Sequence, residues 1–122
     1  MIREIEKPKI DFKFWIEPCF KYYYDEETGE YFFENNCKSK FYFNLNGQIH
    51  RIGKSAIEWN YGGKKWIENG KLNRLDGPAS YFDNYEFYWI NNKTYSKLVF
   101  AEKTNHLICR NCGGFCRQGC FF

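Results

Sequence analysis

A chain of 122 residues is long enough for one core and too short for two ordinary domains. Aromatic residues make up 22% of it while Ala, Leu and Met are scarce, so strands are expected in place of long helices. The net charge of +3 comes from interspersed charges and lacks the one-signed footprint of a dedicated nucleic-acid binder.

Residues 1–8 hold no apolar stretch of signal-peptide length, and no later run is long enough to span a bilayer. A cytoplasmic protein with reduced thiols is the expectation. Frequent Lys, Asn, Tyr and Phe beside scarce Arg is the bias of an AT-rich genome, as in many phages, giant viruses and low-GC bacteria. For a viral protein the compartment would be the host cytoplasm.

The expected fold is β-rich: N-terminal strands over residues 1–44, hairpin repeats over 45–98, and a cysteine-cluster segment over 99–122. Phe12, Phe14 and Ile16 alternate with Lys13 and Trp15, the period of a strand. Residues 21–24 and 31–33 flank the acidic, glycine-containing stretch 25–30, which suits a solvated hairpin loop, and residues 40–44 form the next strand.

From Leu45 the pattern recurs with a 23-residue period. Residues 46–68 laid over 69–91 match Asn46 with Asn69, Gly47 with Gly70, Arg51 with Arg74, Ala56 with Ala79, Trp66 with Trp89 and Ile67 with Ile90, without a gap. Ile49 with Leu72 and Trp59 with Phe82 reinforce the register, Phe43 precedes Trp66 by one period, and a third copy begins at Asn92 and fades after Leu98. Asn-Gly tolerates the positive φ angles of a two-residue type I′ turn, so residues 66–68 and 71–73 can fold back on each other. One hairpin is barely stable alone, so successive units must bury a shared seam, giving an antiparallel meander or short solenoid.

The run from Asn69 to Ala79, with Trp89-Ile90-Asn91 before the next turn, resembles the MORN-like hairpin repeats of phage, giant-virus and bacterial proteins. The resemblance covers about residues 42–98. Units of that family usually carry a histidine where His50 stands in the first copy and Asn73 in the second, and aspartate-glycine-proline where the first copy has Gly53-Lys54-Ser55. The resemblance implies a binding scaffold and does not imply catalysis.

Cys109, Cys112, Cys116 and Cys120 follow with two, three and three residues between them, interleaved with glycines that permit a tight wrap. Four thiolates at ~2.3 Å complete a tetrahedral zinc shell, so a small structural zinc knot is the leading expectation, its charge offset by Arg110 and Arg117. Two disulfides, with Cys19 and Cys37 as a third pair, are the alternative, and an iron–sulfur cluster is another. His106 reads as a surface residue.

Gly53-Lys54-Ser55 resembles the end of a phosphate-binding loop, but Gln48 stands where that motif needs glycine. His50 and His106 are the only histidines, and Glu26-Glu27 falls in the solvated loop, so no catalytic constellation is expected. Most of the aromatic rings are expected to be core. The expected function is therefore a non-enzymatic binding protein, such as a viral inhibitor of a host defence nuclease, with Trp15, Tyr61 and Tyr85 as anchors. The alternative is a nucleic-acid or nucleotide-binding module in which Lys64, Lys65, Lys71, Arg74, Arg110 and Arg117 contact phosphates.

Overall fold

The computed structural model describes residues 1–104 and the backbone of residues 107–108 and 115–116. In chain order the strands are β1 (Ile2–Ile5), β2 (Lys21–Asp25), β3 (Glu30–Glu34), β4 (Lys40–Phe43), β5 (Ile57–Glu58), β6 (Lys64–Lys65), β7 (Ile67–Glu68), β8 (Lys71–Leu72), β9 (Ser80–Phe82), β10 (Tyr85–Ile90) and β11 (Lys93–Tyr95). Helix α1 (Lys97–Thr104) follows, then β12 (Leu107–Ile108) and β13 (Phe115–Cys116). Nine strands make one antiparallel sheet in the order β1-β2-β3-β4-β5-β6-β9-β10-β11, while β7–β8 and β12–β13 are separate two-stranded ribbons. The meander expected from the repeat is thus present, with β7–β8 as an excursion between neighbouring sheet strands.

Period-two alternation sends Tyr22, Phe33, Phe41 and Phe43 to one face of the sheet, here the front. Residues 6–20 cross this face and press Phe12, Phe14 and Phe20 onto it; Phe20 stacks on Phe33 at 4.6 Å and Phe14 on Phe33 at 5.4 Å. Farther along, Ile49, Ile67 and Leu72 cover Ile57. The expected strand over Phe12–Ile16 is absent: the side chains alternate, but this stretch pairs with no strand, and Lys13 N–H donates to the carbonyl of Gly47 instead. The sheet already supplies the pairing in this region, so the segment serves as a lid. β1, which no pattern in the sequence singled out, pairs with β2 from Ile2 opposite Asp25 to Ile5 opposite Tyr22.

The back face is closed by rings and cations. Phe32 lies 5.1 Å from both Tyr23 and Tyr42, with Lys40 over its ring. Arg51 stacks on Tyr42 at 3.8 Å and Arg74 on Trp66 at 3.7 Å. Each guanidinium also donates from Nη1 to a carbonyl four residues on, Ser55 for Arg51 and Pro78 for Arg74, and so ties down the loop before the next strand. A Cβ on Gly77 would lie 2.9 Å from Arg74 Cζ, so a side chain there would shift the guanidinium stacked on Trp66.

The same hydrogen bonds recur from unit to unit. Tyr42 N–H donates to Ala56 O and Trp66 N–H to Ala79 O; His50 N–H donates to Tyr42 O and Asn73 N–H to Trp66 O. Asn69 N–H donates to His50 Nδ1, and Asn91 N–H to Asn73 Oδ1. An acceptor at this position holds the first residue of the next turn, a role that His50 and Asn73 share.

The structural register departs from the gapless sequence register. Arg51 N–H donates to Ile67 O, whereas Arg74 N–H donates to Trp89 O, so Trp89 occupies the place of Ile67 and Tyr88 that of Trp66. The equivalent rings are Tyr42, Trp66 and Tyr88, spaced by 24 and then 22 residues. Two turns cause the slip. The first unit reverses through Asn44–Gln48 with Gly47 at φ +79°, one residue longer than the Asn69-Gly70 turn, where both φ values are positive. It reverses again through Trp59–Gly63, where the second unit needs only Asp83 and Asn84 between Phe82 and Tyr85. The third reversal is Asn91-Asn92, one residue earlier than the repeat places it.

Helix α1 runs across residues 98 and 99 and ends the array. Ser96 Oγ accepts from Val99 N–H in the manner of an N-cap, and Phe100, fully buried, packs on Tyr88 with ring centres 4.9 Å apart.

Candidate interaction surface

The hairpin loops β5–β6 and β9–β10 turn at the same end of the sheet, side by side, because β6 pairs with β9. On the front face here the covering groups stop, and aromatic side chains are left in solvent: Tyr61 is 65% exposed, Tyr85 62%, Phe82 41% and Phe87 43%, beside a half-buried Trp59. Trp59 and Tyr61 lie nearly parallel, 8° between planes and 6.0 Å between centres, and Phe41 backs Trp59 edge-on. Phe82 meets Tyr85 at 5.7 Å, its cross-strand partner, and Phe87 at 6.4 Å.

Gly63 joins the two groups. A Cβ there would lie 3.0 Å from Trp59 and Tyr61 ring carbons and 3.1 Å from Phe82 Cβ, so the rings close over a bare backbone. The loop is fixed from behind by Trp59 N–H to Gly63 O and by Asn60 N–H donating to the hydroxyl of buried Ser39. Rings held by stacking, strand pairing and a closed loop lose little conformational entropy when covered, which suits them to recognition.

Of the three aromatic anchors expected from the sequence, Tyr61 and Tyr85 are brought together here. Trp15, 80% exposed, stands on the residue 6–20 segment with its indole donating to Glu17. The repeat register pairs Trp59 with Phe82 without marking either as exposed, and nothing in the sequence singles out Phe87. The Gly62-Gly63 pair beside Tyr61 is the signal that marks a tight, open tip.

The basic set does not converge among the described residues. Lys64 and Lys65 are strand neighbours and so face opposite sides of the sheet, Lys71 is exposed on β8, and Arg74 is stacked on Trp66 and paired with Asp76 at 2.8 Å. Lys64 belongs to a back-face row in which β-register sets Lys21 opposite Glu34, Glu34 opposite Lys40, Lys40 opposite Glu58 and Glu58 opposite Lys64. Tyr81 and Glu86 complete the row. Arg110 and Arg117 lie outside the described residues, as do Cys109, Cys112, Cys120 and the side chain of Cys116.

Among the described residues no group of three or more His, Cys, Asp or Glu side chains is placed to hold a metal ion. Cys19 and Cys37 are free and exposed. An open cleft of about 550 Å³ near Glu30, His50 and Lys54 contains Arg51, whose Nε and Nη2 donate to both Glu30 oxygens at 2.9 and 3.2 Å. That guanidinium is already engaged by Tyr42, Glu30 and Ser55, so it is a structural cation. No described helix is long and apolar enough to cross a membrane.

The fold and this surface define a repeat-built antiparallel sheet with an exposed aromatic tip. No family model, curated protein or solved structure matches the chain.

Proposed function

We propose that the protein is a non-enzymatic binding module that engages another protein through Trp59, Tyr61, Phe82, Tyr85 and Phe87. The observation that carries this reading is a contiguous, pre-ordered set of rings left in water at the end of two rigid hairpins. Such patches on small chains are commonly covered by partners, and aromatic side chains dominate the energetics of the interfaces they join. The finer reading is a viral inhibitor of a host protein, built on MORN-like repeats and pinned at its C-terminus by zinc on Cys109, Cys112, Cys116 and Cys120.

Affinity capture from a susceptible host cell tests the surface. The wild-type chain and Trp15→Ala retain the same host protein, and Tyr61→Ala/Tyr85→Ala loses it; loss with Trp15→Ala alone moves the site to the N-terminal segment. Elemental analysis tests the metal: zinc copurifies in fixed proportion to protein and falls in Cys112→Ser, whereas zinc-free, folded protein removes it from the account.

A further inference from the structure

The sheet ends on β10 and β11, and β11 is too short to cover its neighbour. Its register runs from Lys93 opposite Ile90 to Tyr95 opposite Tyr88, after which the chain turns away at Ser96 into α1. Tyr85, Glu86 and Phe87 therefore pair with β9 on one side and, among the described residues, with no strand on the other. An open cleft of about 410 Å³ lies along this half-strand, walled by Tyr85–Tyr88 on one side and by Tyr95, Ser96 and Lys97 on the other. Alternation from Tyr88, which pairs with Tyr95, places the N–H and C=O of Glu86 toward the cleft.

We infer that this edge receives an extended peptide segment of the partner protein, added antiparallel to β10 where β11 leaves off, with a basic residue opposite Glu86 and apolar residues on either side. The inference rests on the proposal that the aromatic tip is a protein-binding site and names how that site reads its partner. Backbone pairing supplies the register, as in other cases of strand addition to an open edge. Side chains supply the selectivity on two faces. On the front, the flanking apolar residues would lie against Tyr85 and Phe87, beside Phe82. On the back, Glu86 is the last rung of the row in which Lys21, Glu34, Lys40, Glu58 and Lys64 alternate in sign, Tyr81 being the one neutral position. The incoming residue extends that row, and a cation there meets a carboxylate whose near neighbour is the Tyr88 hydroxyl, donating to it at 3.4 Å.

The test uses the full chain and a blocked synthetic peptide with one lysine between two valines, flanked by threonines, followed by backbone amide NMR and titration. Binding shifts the amides of residues 85–87, replacement of the lysine by glutamate weakens it about tenfold, and N-methylation of the lysine backbone nitrogen removes it. Glu86→Lys reverses the order of the two peptides. Equal binding of the lysine and glutamate peptides, or undiminished binding of the N-methylated one, overturns the inference. If no peptide binds while capture of the host protein still depends on Tyr61 and Tyr85, strand addition is wrong and the recognition tip stands. A concentration-dependent dimer of the chain itself, abolished by Glu86→Lys, would also overturn it by assigning the edge to a second copy.

Discussion

Arg51 and Arg74 occupy equivalent places in successive units, yet their surroundings predict different costs of removal. Arg51 is 10% exposed and holds both oxygens of Glu30, itself 25% exposed, so Arg51→Ala leaves a carboxylate largely shielded from water. Its loss should cost about 3 kcal/mol. Asp76, the partner of Arg74, is 47% exposed and can return to solvent, so Arg74→Ala should cost about 1 kcal/mol, mostly through the lost stacking on Trp66. Urea denaturation of both variants checks the order. At Tyr22 the prediction has the opposite sign: its hydroxyl is buried and has no hydrogen-bond partner among the described residues. Tyr22→Phe should therefore raise stability by about 1 kcal/mol, and a loss of that size would show that the hydroxyl is satisfied.

Turns decide how the elements register. Strands at 21–25, 30–34 and 40–43 and the Asn69-Gly70 reversal were legible because alternation and turn chemistry are local signals. The slip between units was not. Two of the first unit's turns each hold one extra residue, and a gapless alignment of identities absorbs both, leaving Trp66 matched to Trp89 although Tyr88 takes its place. The N-terminal lid misread as a strand fails for a related reason: alternation reports which side chains are buried and says nothing about whether the backbone has a partner. Gly47 ties that lid to the first turn, since a Cβ there would fall 1.9 Å from Asp11 O. Gly29 has a similar φ, +72°, with open space around it. Gly29→Ala should cost about 1 kcal/mol for the left-handed backbone alone, and Gly47→Ala about 3 kcal/mol once the lid is displaced. Equal thermal shifts in the two variants would mean that the lid does not seat on the turn.

For the molecule as a whole, burial of tyrosines on both faces sets an alkaline limit. Burial, reinforced by Glu86, pushes the Tyr88 phenol up to about 12, and burial raises Tyr22 and Tyr42 as well. An unfolded tyrosine ionises near pH ~10. Between that pH and about 12 the folded state holds more protons, so stability is intact below the window and falls as pH rises through it. Stability measured against pH should show this decline, and Tyr88→Phe should make it shallower. The aromatic tip was half legible: exposure of Tyr61 and Tyr85 follows from their turns, while Phe82 and Phe87 join them only through the pairing of β6 with β9 and of β9 with β10.

That pairing is the point on which fold and surface both depend, because a slip of one residue in β10 would exchange its faces and carry Tyr85 and Phe87 away from Phe82. Scalar coupling across hydrogen bonds reads it directly. Arg74 N–H should couple to the carbonyl carbon of Trp89. Coupling to Ile90 instead would restore the gapless register and dissolve the aromatic tip.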